Sequence, residues 1–269
     1  MDIARDNPNL DLFQWAHNPI ERMEDARYLI DAIISHPCIG RILLENCFGE
    51  DINDYEMLMS LFTSGKSFSH IDLEGNDIRT GGGTEISDYL ATNPSLKELN
   101  LANNHLNDDD AILIARALKQ NNNLKYLHLV GNDLAEKGEN ALSNAIYDST
   151  SLNSLADCNH TCKIDVVDFG DIPENEPGIT PKVNKARKIH HLLSTRNRER
   201  SNVHHFNLEF DNEGSGDSLV LVPKILESVN HYCRVRRMNR VPCLSIMYEI
   251  LRSWKMPELY ENRVGTATT

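Results

Sequence analysis

His70, Asp72 and Glu74 alternate along the chain, and in an extended segment alternate side chains share one face. An imidazole between two carboxylates is the raw material of general acid–base chemistry. No nucleophile accompanies them, and strand alternation alone explains their alignment. Cys158, His160 and Cys162 bring zinc-type ligands together, but a structural zinc needs four at recognisable spacing and the rest are missing. Gly81-Gly82-Gly83 lacks the Lys-Ser/Thr that completes a phosphate loop, so it reads as a turn opening a helix. GxSxG, HExxH and GxGxxG patterns are absent. The sequence therefore points away from an enzyme and from any cofactor or metal.

What positions these residues is a repeat. LKELNLANNHL from Leu96 and LKYLHLVGNDL from Leu124 share apolar residues at offsets 0, 3, 5 and 10, with asparagine at offset 8. The same frame fits from Phe68 (Ile71, Leu73, Asn76, Ile78), from Ile39 (Ile42, Leu44, Cys47) and from Leu10 (Phe13, Trp15, Asn18, Ile20). Behind each strand lies an i, i+4 apolar pair: Leu29/Ile33, Leu58/Phe62, Ile86/Leu90, Ile114/Leu118 and Leu142/Ile146. That spacing marks one buried helix face. Each unit is a short strand, a turn and a returning helix, and none could bury its apolar residues without neighbours. Asn18, Cys47, Asn76, Asn104 and Asn132 form a structural ladder where the strands turn away, able to bond backbone groups left unpaired there.

The LxxLxLxxNxL pattern, with a 28–29-residue period and a helix in every unit, resembles the ribonuclease-inhibitor-like leucine-rich repeats. Such units also occur in GTPase-activating proteins of the Ran system and in NOD-like receptors. The resemblance covers about residues 10–162. It implies an α/β leucine-rich-repeat solenoid, a right-handed β-α superhelix shaped as a horseshoe arc with an inner parallel sheet, outer helices and a helical C-terminal cap. It also admits a second reading, regulation of a small GTPase, for which Arg79 after the third strand is the one arginine near the rim.

The frame predicts solenoid over 1–163, with repeat starts near 10, 39, 68, 96 and 124. A sixth, degenerate start falls at Leu152, where Asp157 at offset 5 would put a carboxylate on the inner face. DVVDFGDIPENEPG then reads as an acidic linker or insertion over 164–181. Residues 182–262 are expected to cap the solenoid, with Val203, Phe206 and Leu208 as one more degenerate strand. Helices follow around 222–229 and 244–254, and 263–269 is a frayed tail. Residues 182–200 carry seven Lys/Arg against one Glu at helical spacing. They read either as an RNA-docking helix or as a solvated basic face; without aromatic residues to stack on bases, the second is preferred.

The chain has 269 residues, 40% apolar, and a net charge of −13. The excess is confined to 1–163, with 12 basic against 26 acidic residues, which disfavours nucleic acid as the arc's partner. No apolar run is long enough to span a bilayer and the first residues do not resemble a signal peptide, so a cytoplasmic or nuclear protein is expected, with no membrane partner. Its six cysteines show no disulfide pattern, and Cys158 and Cys162 read as buried reduced thiols.

Offsets 2, 4 and 6 face out of the sheet on the concave side. They supply Arg41, Leu43, Glu45, His70, Asp72, Glu74, Glu98, Asn100, Tyr126, His128 and Val130. An acidic centre flanked by apolar anchors is the make-up of a protein-binding surface for a basic partner.

Overall fold

A computed structural model describes residues 7, 9–49, 55–199 and 205. The expectations for 203–208, 222–229, 244–254 and the tail fall outside them, apart from His205. The described residues fall into two compact units, one within 1–147, 158–170 and 174–178, the other within 148–157, 171–173 and 179–205.

The first unit is a six-stranded parallel sheet in sequential order. Its strands are β1 (Leu12–Gln14), β2 (Arg41–Leu43), β3 (His70–Asp72), β4 (Glu98–Asn100), β5 (Tyr126–His128) and β6 (Lys163–Ile164). Helices α1 (Met23–Ser35), α2 (Tyr55–Thr63), α3 (Glu85–Ala91), α4 (Asp108–Leu118) and α5 (Glu136–Ile146) alternate with the first five. Leu12 pairs with Arg41, Arg41 with His70, His70 with Glu98 and Glu98 with Tyr126, so neighbouring strands are one repeat apart.

The core follows from the spacing. Ile42, Leu44, Ile71, Leu73, Leu99, Leu101, Leu127 and Leu129, at offsets 3 and 5, are buried, as are all five helical pairs. Alternate residues of the same strands stay half-exposed, leaving the sheet's second face open to solvent. This is an α/β leucine-rich-repeat solenoid.

Each turn off a strand needs one left-handed residue. His17, Asn46, Gly75, Asn103 and Gly131 all sit at offset 7 with φ of 55, 52, 67, 53 and 77°. Glycine and asparagine are the residues that adopt this region at least cost. The turn is closed by the residue after it. Asn76 is fully buried; its Oδ1 accepts from the N–H groups of Cys47 and Phe48, and its amide donates to the Leu44 carbonyl. Asn104 accepts from the N–H groups of Asn76 and Ile78 and donates to the carbonyls of Leu73, Leu101 and Ala102. Asn132 accepts from Leu106 N–H and donates to Leu101 and Leu129. Cys47 is buried with its thiol on the Trp15 carbonyl, whereas the Asn18 side chain is exposed and donates to the Ala16 carbonyl.

At Leu152 the chain departs from the schedule. Residues Leu152–Ala156 form a short helix, α6, and the sixth strand comes later, with Tyr126 opposite Lys163 and Leu127 opposite Ile164. Leu152 and Leu155 satisfy offsets 0 and 3 of a strand and i, i+3 of a helix equally well. Offset 5 decides, since Asp157 cannot be an inward residue, and it lies exposed at the end of α6. The inserted residues move β6 to 37 positions after β5 instead of 28.

The segment expected to be a linker is partly structural. Asp165 Oδ1 accepts the Leu129 N–H at 2.8 Å, Phe169 is buried, and buried Asn175 donates to the carbonyls of Asn159 and Cys162. In the second unit, α7 (Pro181–Arg198) buries Ala186, Ile189, Leu192 and Leu193. Its basic side chains are not simply solvated. Lys188 is 0% exposed, Arg196 donates to the Ser149 carbonyl and Lys185 to that of Ala156.

Candidate functional site

The open face of the sheet gathers the outward residues of all six strands, and its chemistry is set by pairs that bridge neighbouring repeats. On the β1 side, Arg41 holds Asp11 by converging Nε, at 2.9 Å, and Nη2, at 2.8 Å, on the one oxygen Oδ2. His17 lies 3.1 Å from Glu45. In the middle, Glu98 stands between His70, at 3.9 Å, and His128, at 3.6 Å. His128 reaches on to Asp165 at 3.0 Å.

Asp72 and Glu74 are tied differently. Asp72 Oδ1 accepts the Glu74 N–H and Oδ2 accepts the Asn100 amide at 3.1 Å. Glu74 accepts from Asn100 at 3.0 Å and from Asn103 at 2.7 Å. Asn100 is therefore a clamp between two strands, fixing both carboxylates by donating to each. Adjoining them is a hollow of about 250 Å³ lined by Leu12, Arg41, Leu43, His70, Asp72, Glu98 and Asn100 with the strand backbones beneath. At the β5 side, Tyr126 and Val130 are 40% and 48% exposed, and Tyr126 stacks parallel to His128 with ring centres 6.3 Å apart.

His70, Asp72 and Glu74 do share one face, but His70 turns Nδ1 to the Ser69 hydroxyl at 2.9 Å and Nε2 towards Glu98. Glu74 is held by amides instead. Arg79 is exposed in the loop after β3, ahead of a glycine turn in which Gly81 and Gly82 have φ of 59 and 94°. Gly83 is needed there: a Cβ would run into the Tyr55 hydroxyl, which donates to Glu85 at 2.6 Å. Burial, and then contact with the Glu85 carboxylate, pushes the Tyr55 phenol above its ordinary range.

The Cys158 thiol donates to the Asn144 carbonyl and the Cys162 thiol to that of Lys163. Among the described residues, no group of three or more His, Cys, Asp or Glu is arranged to hold a metal. Cys158 and Cys162 are buried free thiols, as expected, Cys47 is buried as well, and Cys38 is exposed. Burial raises the Cys47 thiol to about 11. No described helix is long and apolar enough to cross a membrane.

Sequence inspection missed two features that position the face. Asp165, outside the first five repeats, completes the row of paired charges by reaching both His128 and Leu129 N–H. At the opposite end of the strands, Asn121 accepts from the N–H groups of Asn123 and Leu124, and Asn159 does the same for Thr161 and Cys162. His36 Nδ1 takes this role before β2, accepting from Cys38 and Ile39. The signal was a polar acceptor three residues before Ile39, Leu124 and Cys162.

A family model described as Leucine Rich repeat matches residues 92–115 and 120–142, two consecutive units of this solenoid. No curated protein sequence matches the chain. A solved structure of leiomodin-1 actin-binding site 2 is similar at 14% identity and a TM-score of 0.32, over 74% of this chain and 90% of that one.

Proposed function

We propose that this leucine-rich-repeat chain is a protein-interaction module whose partner, carrying a basic surface, binds on the open face of the sheet. The observation that supports it is the open face itself. Parallel sheets are ordinarily covered on both sides, and here a row of half-exposed strand residues is left facing solvent. It combines the carboxylates of Asp72 and Glu74, fixed by Asn100, and that of Glu98 with the exposed anchors Tyr126 and Val130. Aromatic and aliphatic anchors ringed by polar groups are the usual composition of an interface centre.

The other residues of the proposed contact are Arg41, Leu43, Glu45, His70, Asn100 and His128. Among them Arg41 and His128 serve mainly to order their carboxylate neighbours. Nothing in this constellation is arranged for bond making, so the reading is of a binding scaffold without cofactor or metal. Regulation of a GTPase rests on Arg79 alone, which stands away from this face in the loop ahead of α3, and it is not the reading adopted. RNA docking through 182–200 is disfavoured by the burial of Lys188 and by Arg196 and Lys185 being spent on backbone carbonyls.

The test is capture from cell lysate with the wild-type chain and with a Tyr126→Ser, Val130→Ser, Glu98→Lys variant, both checked for fold by circular dichroism. A protein retained by the wild type and lost by the variant supports the open-face reading. Equal capture by both sinks it.

A further inference from the structure

We infer that the hollow across β1 to β4 seats an arginine side chain of the partner, an inference that rests on the open-face reading above. At about 250 Å³ the hollow is smaller than the roughly 300–1,000 Å³ of small-molecule and cofactor pockets, and it suits a single long side chain. Its two sides differ. Leu12, Leu43 and Arg41, whose guanidinium is held by Asp11, line the β1–β2 side, and Asp72 and Glu98, with His70 and Asn100, line the β3–β4 side. An amphipathic side chain with an apolar stem and a cationic head matches that division, stem to leucines and head to carboxylates.

The acceptors are available. Asp72 accepts one hydrogen bond on each oxygen, which leaves each oxygen further acceptor capacity. Glu98 is less engaged still. Its nearest imidazoles, those of His70 at 3.9 Å and His128 at 3.6 Å, lie beyond hydrogen-bond distance. The one resident guanidinium at the hollow, that of Arg41, is already engaged by Asp11.

Geometry selects arginine over lysine. His70 lies opposite Glu98 in the sheet, so Asp72, two residues further along β3, is diagonal to Glu98 on the adjacent strand. Adjacent strands are about 4.8 Å apart. Two carboxylates in that relation can each take one edge of a planar guanidinium, with its five donors in a fixed fork. A single ammonium presents a point charge that cannot face both in this way.

The test titrates N-acetyl-arginine amide into the full chain and follows backbone amide resonances. N-acetyl-lysine amide and the neutral isostere N-acetyl-citrulline amide serve as comparisons. The expected result is a saturable shift confined to residues 12, 41–43, 70–72 and 98–100, weaker with lysine and absent with citrulline. Glu98→Gln is expected to weaken arginine binding about three- to fivefold, as for one partly exposed ion pair. Asp109→Asn, an exposed acid elsewhere, is expected to leave it unchanged. Non-saturating or dispersed shifts, equal shifts with citrulline, or indifference to Glu98→Gln would overturn the proposal. If the probe fails while the Tyr126, Val130, Glu98 variant loses its captured protein, the arginine seat falls and the open-face reading stands. If that variant captures normally, the open-face reading falls first.

Discussion

Single residues carry unequal weight in this solenoid, and the asparagine ladder shows it best. Replacing Asn104 by alanine orphans the buried N–H groups of Asn76 and Ile78. At about 1–3 kcal/mol for each unsatisfied group, the loss should be roughly 2–6 kcal/mol. Asn18→Ala, at an exposed site with one local bond, should stay within about 0.5 kcal/mol. Urea denaturation of both variants checks the contrast, and equal losses would mean the ladder is ornamental. The thiols give a second test. With Cys47 held near 11 by burial, iodoacetamide at pH 8 should modify exposed Cys38 in the native chain and spare Cys47, as read by peptide mass spectrometry.

At the scale of elements, five repeats were legible because their signals are redundant. A frame such as Leu96-Leu99-Leu101-Asn104 states strand, turn and burial together, and the following helical pair states them again. Leu152 and Leu155 carried no such redundancy, and the same two residues served a helix. The left-handed residue at offset 7 was present as His, Asn, Gly, Asn and Gly but has no apolar signature to draw the eye. Gly131 illustrates its demand: φ is +77° and a Cβ would meet the Asn103 amide. Gly131→Val should cost about 1–3 kcal/mol, the range for strained left-handed residues, measurable as a lowered thermal midpoint. The open face was legible in its residue list, since alternation fixes which side chains point outward. Its pairings were not, because no one-dimensional spacing tells that Asn100 clamps both Asp72 and Glu74.

For the whole molecule, acidification should act on the second unit first. Burial lowers His190 and His191 on α7 from their ordinary value, helped at His190 by His191 and at His191 by Arg198, against a partial offset from Asp171. Both histidines are thus neutral in the folded chain at a pH where the unfolded chain protonates them. The unfolded state binds more protons below the ordinary histidine value of about 6.5, so stability falls as pH drops through that value. Hydrogen exchange at pH 7.5 and 5.5 should show α7 losing protection on acidification, and a His190→Leu, His191→Leu variant should lose less. Unchanged protection of α7 would remove this coupling.

The ladder of asparagines has a direction. Asn76 serves Leu44, Cys47 and Phe48; Asn104 serves Leu73, Asn76 and Ile78; Asn132 serves Leu101 and Leu106. In every case the later unit completes the earlier one. A ribosome releases the chain in that same order, at roughly 5–20 residues per second, so each nascent unit waits roughly 1–6 s for its successor. During that interval its turn is an open set of donors and acceptors, able to bond the wrong strand. Synthesis therefore proceeds with a travelling unfinished end, and Asp165, Asn159 and Asn175, arriving after the last full repeat, are what bring it to rest.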